Sequence, residues 1–202
     1  MVIWINGAFG SGKTTAANEL MRRINSADAI IFDPENIGYF MRRNLPAELT
    51  RGDFRDIPLW RGINYELLSY IARGFDGVVI APMTITDPAY FDEIIGQLRR
   101  DGVDVRHVIL AASRETLLKR LNRRLSHGDT FAKRQIDVCV PAFETVITEG
   151  RIETDALTIS EVVERIAREV GVELPPDTLS RFGRFVSRKM AQLRVIRWLF
   201  KP

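Results

Sequence analysis

Eight consecutive residues near the start of the chain, Gly7-Ala8-Phe9-Gly10-Ser11-Gly12-Lys13-Thr14, carry the residue types and spacing of a phosphate-binding loop. Glycines at 7 and 12 allow turns tight enough for successive backbone N–H groups to converge on phosphate oxygens. Lys13 then reaches the β- and γ-phosphates, and the Thr14 hydroxyl is placed for Mg²⁺, with Thr15 extending the loop. The chemistry this implies is nucleotide binding, with ATP and Mg²⁺ as cofactors. Phosphoryl transfer would further need charge stabilisation and a group that orients the acceptor hydroxyl. Asp33 is the candidate for orienting the acceptor and for a second Mg²⁺ contact, with Glu35 two residues on; an aspartate before proline is equally a turn and helix-start device. Arg120 and Arg124 share one helical face, with Arg123 beside them, and are candidates for charge stabilisation; a solvated basic face is the plainer reading. Lys133 and Arg134 follow across a polar loop that also holds His127.

The elements that must position these residues alternate. Val2–Asn6 reads as a strand leading into the loop, and Ala17, Leu20 and Ile24 give the segment after Thr14 helical spacing, so that a helix N-terminus lies under the anion. A second strand follows at Ala29–Asp33 and a helix near Glu35–Arg43. Asn44–Pro58 reads as irregular, before a helix from Leu59 to Arg73 and a third strand at Val78–Pro82. Asp87-Pro88 opens a helix to Arg100, a fourth strand spans Val105–Ala111, and Ser113 caps a helix at Arg114–Leu125. Ser126–Asp137 reads as a polar loop leading to another helix; a short strand near Ile152 and a helix from Ser160 to Val170 close the core. Strands and helices in this order predict a doubly wound α/β fold with a five-stranded parallel sheet and ligands at the carboxyl ends of its strands.

The end of the third strand, Ile80-Ala81-Pro82, carries no carboxylate where a metal-organising acid is expected, which argues against strong ATPase activity. Asp87 lies just beyond it and reads better as a helix cap. Between the second and third strands lie Tyr39, Phe40, Arg42, Arg43, Trp60, Arg61 and Tyr65. Aromatic rings stack on nucleobases and arginines bind sugar-linked phosphates, so this stretch is the expected acceptor pocket, although each aromatic taken alone is as well explained by core packing.

The chain has 202 residues, 46% of them hydrophobic, enough for one core with an appendage. We divide it into a nucleotide-binding domain at 1–173 and a linker with a C-terminal helix at 174–202. The net charge of +3 hides an asymmetry: residues 179–202 hold seven of the 29 Lys and Arg and no acid, leaving the rest at 22 basic against 26 acidic. The body therefore lacks the basic surface expected of a nucleic-acid binder. The apolar residues of 179–201 follow helical spacing opposite arginines, as in a helix lying on an anionic membrane. A single cysteine, Cys139, excludes an internal disulfide. The N-terminus carries no secretory signal pattern, and no apolar run reaches the roughly 20 residues of a membrane span, so the expected location is cytoplasmic, at most peripheral on the inner membrane face.

Ile3–Thr14, Phe32-Asp33-Pro34-Glu35, Pro58-Leu59-Trp60-Arg61, Ala81-Pro82-Met83-Thr84-Ile85 and Glu115–Leu121 together resemble the bacterial tunicamycin resistance protein family, over nearly the whole chain. That family is similar in turn to P-loop small-molecule and nucleotide kinases. The resemblance implies a sheet in the order 2-3-1-4-5, a helical lid bearing arginines, and Arg120 and Arg124 directed to the nucleotide. It also implies ATP-dependent resistance to tunicamycin, a nucleoside antibiotic, by phosphorylation of the drug or by sequestration; a housekeeping kinase on the same scaffold is the further alternative.

Overall fold

The first strand, β1 (Val2–Gly7), has no exposed face: Val2, Ile3, Trp4 and Ile5 are all fully buried. A strand apolar on both sides belongs in the middle of a parallel sheet covered by helices above and below. The computed structural model, which describes residues 1–25, 27–123, 130–177 and 179, places it there. β2 (Ala29–Ile31), β3 (Val78–Pro82), β4 (Val105–Ala111) and β5 (Arg151–Glu153) complete a five-stranded, all-parallel sheet in the order β2-β3-β1-β4-β5. This is the 2-3-1-4-5 order that the family resemblance implied.

Side-chain alternation along β1 divides the core. Ile3 and Ile5 pack with Ile80, Val108 and Leu110 under α1 (Lys13–Ile24) and α8 (Ile159–Val170). Val2 and Trp4 face the other way with Val79 and Ala81, against α2 (Glu35–Asn44), α3 (Pro58–Gly74) and the helix that begins at Asp87. Asp87 accepts hydrogen bonds from the N–H groups of Ala89 (2.7 Å) and Tyr90 (3.3 Å), so the helix-cap reading holds. That helix runs as α4 (Pro88–Phe91), a π turn (Asp92–Gly96) and α5 (Gln97–Arg100). Ser113 caps α6 (Arg114–Asn122) as expected, accepting from Thr116 N.

β2 ends two residues before its expected limit. Phe32 N still donates to Ile80 O, but the Asp33 side chain takes the Glu35 N–H at 3.0 Å and turns the chain into α2. The stretch between α2 and α3 is built on two 3₁₀ turns, Ala47–Leu49 and Phe54–Asp56, the second capped by Asp53. The polar loop expected over Ser126–Asp137 is corrected: α7 (Thr130–Thr145) takes up all of it from Thr130 on. Ala132, Ile136, Cys139 and Phe143 recur at helical spacing and are buried against Ile109, Leu117 and Leu121, which outweighs the charge of Lys133, Arg134 and Asp137. After α8, Leu174 packs on the core and Arg23 donates to Pro175 O, so the start of the expected linker lies against α1. Arg124, His127 and the basic amphipathic stretch beyond residue 179 lie outside the described residues. No described helix is long and apolar enough to cross a membrane.

Candidate phosphate-binding site

The loop leaves the carboxyl end of β1 at Gly7, whose φ of +141° already disfavours a side chain. A Cβ there would stand 2.6 Å from Leu110 O and 2.7 Å from Ser11 Oγ, so the close approach of β4 requires glycine. At the other end Gly12, at φ +101°, is the left-handed residue that caps α1. Helix N–H groups therefore begin directly beneath the loop, where an anion is favoured by both the unpaired donors and the helix dipole.

Three brackets hold this loop. Lys13 Nζ donates to Gly7 O (2.9 Å) and Ala8 O (3.1 Å) and stands 5.6 Å from the centre of the Phe9 ring. Thr84 Oγ1, just past β3, donates to the same Gly7 O at 2.8 Å. On the far side Arg120 Nη1 donates to Ser11 O (3.3 Å) and Thr154 Oγ1 (3.1 Å), and its Nη2 to Thr154 O (2.8 Å). Burial pulls the Arg120 guanidinium below its ordinary pKa. Asn6, fully buried, fixes the entry: its Oδ1 accepts from Gly7 N and Ile85 N, each at 2.9 Å, and its Nδ2 donates to Ile85 O (2.8 Å) and lies 3.2 Å from His107 Nε2. Burial holds the His107 imidazole near pKa 4, so it is neutral and accepts from Asn6.

Asp33 is brought to the same cleft. Its pKa is pushed up to about 7, first by withdrawal from water and then by the Glu35 carboxylate, while the Glu35 N–H and the Lys13 ammonium pull the other way. Glu35 also accepts from Tyr39 OH (3.4 Å), whose pKa is pushed up to about 12 by burial and by Glu35. Lys13, Asp33 and Glu35 thus form one electrostatic group. Thr14 is exposed and Thr15 half-buried at the start of α1, on the solvent side of the loop.

The acceptor-pocket residues separate. Trp60 is fully buried, its indole N–H on Pro34 O (3.0 Å) and its ring against Phe54, so it carries packing. Arg61 is buried between Glu93 (2.5 Å), Arg55 O (2.7 Å) and the Tyr90 ring. Tyr65, midway along α3, donates to Asp101 at the end of α5. Arg42 is exposed, on Gly52 O (2.8 Å) and over the Phe54 ring, and Arg43 is exposed beside it. Lys133 is half-buried and Arg134 exposed on the first turn of α7.

Four residues that sequence reasoning did not single out prove central: Asn6, Thr84, Thr154 and Arg55. Asn6 had a signal, a polar residue closing an apolar strand directly before the loop. Arg55 had none. It is buried on the 3₁₀ turn after Asp53, with Nε 3.0 Å and 2.9 Å from the two Asp53 oxygens and Nη2 2.8 Å from Gln135 Oε1 of α7.

The cradle fits a nucleotide polyphosphate. Its backbone turns require glycine, its lysine is in place, and Ser11 Oγ is buried with no hydrogen-bond partner among the described residues. The donors for a metal are sparse: no cluster of three or more His, Cys, Asp or Glu suited to a metal occurs among the described residues. A Mg²⁺ ion, which takes only one or two protein oxygens beside those of the phosphates, would rest on the Thr14 hydroxyl.

Comparison with known proteins agrees with this geometry. The AAA domain family matches residues 2–144. The tunicamycin resistance protein of Deinococcus radiodurans is 31% identical, with 87% of this chain and 98% of that chain covered and a TM-score of 0.73. A sugar kinase from Janibacter sp. HTCC2649, 19% identical, shares the fold at a TM-score of 0.61 over 85% of this chain and 94% of its own. A nucleotide-binding protein of Methylococcus capsulatus is 28% identical over 187 residues, 85% of this chain; the chain spans 53% of the length of that relative.

Proposed function

Since the chain belongs to the AAA domain family and to the family of the Deinococcus radiodurans tunicamycin resistance protein, we propose that it binds ATP with Mg²⁺ and transfers a phosphoryl group to a hydroxyl of tunicamycin or a related nucleoside. The observation that carries the reading is Asp33, a carboxylate poised near pKa 7 beside the loop lysine. A general base works best when its pKa lies near the working pH. Glu35 N–H occupies Oδ1, which leaves Oδ2 to take the proton of the acceptor hydroxyl as its oxygen bonds to phosphorus and ADP departs.

The loop from Gly7 to Thr15 would hold the polyphosphate and Thr14 the Mg²⁺. When bound, MgATP supplies the phosphoryl donor. Lys13 leaves two backbone carbonyls to meet the phosphates, a modest exchange of neutral for ionic acceptors. Arg120 keeps the loop in register by holding Ser11 O, and Asp33 and Glu35 orient the acceptor.

A second reading, binding and sequestration of the drug with little turnover, is favoured by one specific feature: β3 ends in Ala81-Pro82 and offers no acid to organise the metal. Mass spectrometry of tunicamycin after incubation with the protein and MgATP, beside a Lys13→Ala control, separates the two. A gain of one phosphoryl group, absent in the control, supports transfer. An unchanged drug that co-purifies with the protein supports sequestration, and a drug that neither changes nor binds removes both.

A further inference from the structure

We propose that Arg55 is the cation that contacts the transferred phosphoryl group from the acceptor side of the cleft; this rests on the phosphoryl-transfer reading above. Its guanidinium stands 5.9 Å from the centre of the Phe9 ring, the ring that Lys13 Nζ approaches to 5.6 Å. Two cations from distant parts of the chain therefore meet over one side chain of the phosphate loop. Arg55 Nη1 lies 3.4 Å from Thr84 O, and the Thr84 hydroxyl donates to Gly7 O, which Lys13 also holds. Two residues, Thr84 and Gly7, separate the two cations along this path.

The guanidinium is set with unusual firmness. Asp53 takes Nε and Nη2, Gln135 takes Nη2, and Arg61 Nη1 holds the Arg55 carbonyl from beneath. The turn is thus tied to α7 on one side and, through Arg61 and Glu93, to the π turn on the other. Nη1 alone is engaged only by the long contact to Thr84 O among the described residues, so the N–H groups nearest the loop are those with capacity to spare. Burial opposes the charge on Arg55, but its pairing with Asp53 prevails and it stays a cation. A buried pair of this kind adds little net stability, so stability alone does not account for placing a fixed charge there.

Arg120, one of the two arginines expected for charge stabilisation, is turned to Ser11 O and Thr154 O. It braces the loop. Arg55 approaches from the opposite side, that of Asp33 and the acceptor, where charge spreads over the equatorial oxygens during transfer. Its planar fork suits that task.

The test is the affinity of the full chain for ADP with and without fluoroaluminate, in Mg²⁺ and tunicamycin, for the wild type, Arg55→Ala and Arg55→Lys. Fluoroaluminate imitates the transferring group, so the wild type binds ADP more tightly in its presence. Arg55→Ala is expected to lose that gain about 100-fold or more, the effect of removing one transition-state donor, while its affinity for ADP alone stays within about threefold. Arg55→Lys keeps the charge beside Asp53, recovers part of the gain and supplies the comparison if the alanine variant fails to fold. Retention of the full gain in the folded variants overturns the proposal, as does equal weakening of both affinities, which marks a structural residue. A wild type that gains nothing overturns the phosphoryl-transfer reading itself.

Discussion

Replacing Asp33 by asparagine changes the protein in a pH-dependent way whose sign follows from the site. The aspartate ionises near 3.8 in the unfolded chain and near 7 in the folded one. Across that window the folded chain holds a proton that the unfolded chain has given up, so stability is full below about pH 4, falls as pH rises, and levels off above about pH 7. About three units at 1.36 kcal/mol each give a span of about 4 kcal/mol, of which about 2.5 kcal/mol falls between pH 5 and pH 8. Asparagine keeps a side-chain oxygen for the Glu35 N–H and cannot ionise. The stability of Asp33→Asn minus that of the wild type should therefore grow by about 2.5 kcal/mol from pH 5 to pH 8 and stay constant to pH 9. Urea unfolding followed by tryptophan fluorescence, at four pH values on both proteins, measures it; the buried Trp4 and Trp60 report the core. The subtraction removes the titrating groups that are not coupled to Asp33, which leaves Asp33 as the main source of the difference. A difference that does not change with pH would refute the claim that Asp33 is held protonated by its surroundings, and with it the reasoning that makes it a poised base. The same variant should lose the rise of transfer rate through pH 7.

Lys13→Ala should weaken ATP binding about 100-fold or more by titration calorimetry while leaving the fold intact, since its partners are loop carbonyls that water can satisfy. Asn6→Ala should cost about 3 kcal/mol in chemical denaturation, because it strands the Gly7 and Ile85 N–H groups in a fully buried site at about 1–3 kcal/mol each. Gly7→Ala should cost more than Gly12→Ala, which meets nothing within 4 Å and pays only about 1–2 kcal/mol of left-handed backbone strain. Equal losses would show that the approach of Leu110 O to Gly7 does not constrain the loop.

The parts of the fold that were legible in the sequence are those governed by local pattern. β3 and β4 have the limits that their apolar runs and flanking glycines indicate, and the caps at Ser113 and Asp87 were readable because each side chain bonds within three residues. The strand order came from family resemblance, since parallel pairings between β1 and strands over 70 residues away leave no local trace. What escaped was set by distant partners. Arg55 occupies a turn without periodicity and meets Gln135 eighty residues on. The first turns of α7 were obscured by their charges, and Trp60 looked as suitable for a base as for the core until its indole N–H was found on Pro34 O.

The brackets around the loop divide its work between two walls. Carbonyls at Gly7 and Ser11 are each held from outside the loop, by Thr84 and by Arg120, so the backbone is fixed before any anion arrives and binding need not order it. Lys13 is the bracket that must let go, and it can, because Thr84 still holds Gly7 O when it leaves. The wall beyond β4 and β5, with Arg120 and Thr154, braces the loop. The wall beyond β2 and β3 carries Asp33, a carboxylate poised near neutrality, and Arg55, the buried cation over Phe9. On the phosphoryl-transfer reading, chemistry therefore belongs to the acceptor side of the sheet, where the proposed proton acceptor and a fixed positive charge face the same loop, each being held by its own partner.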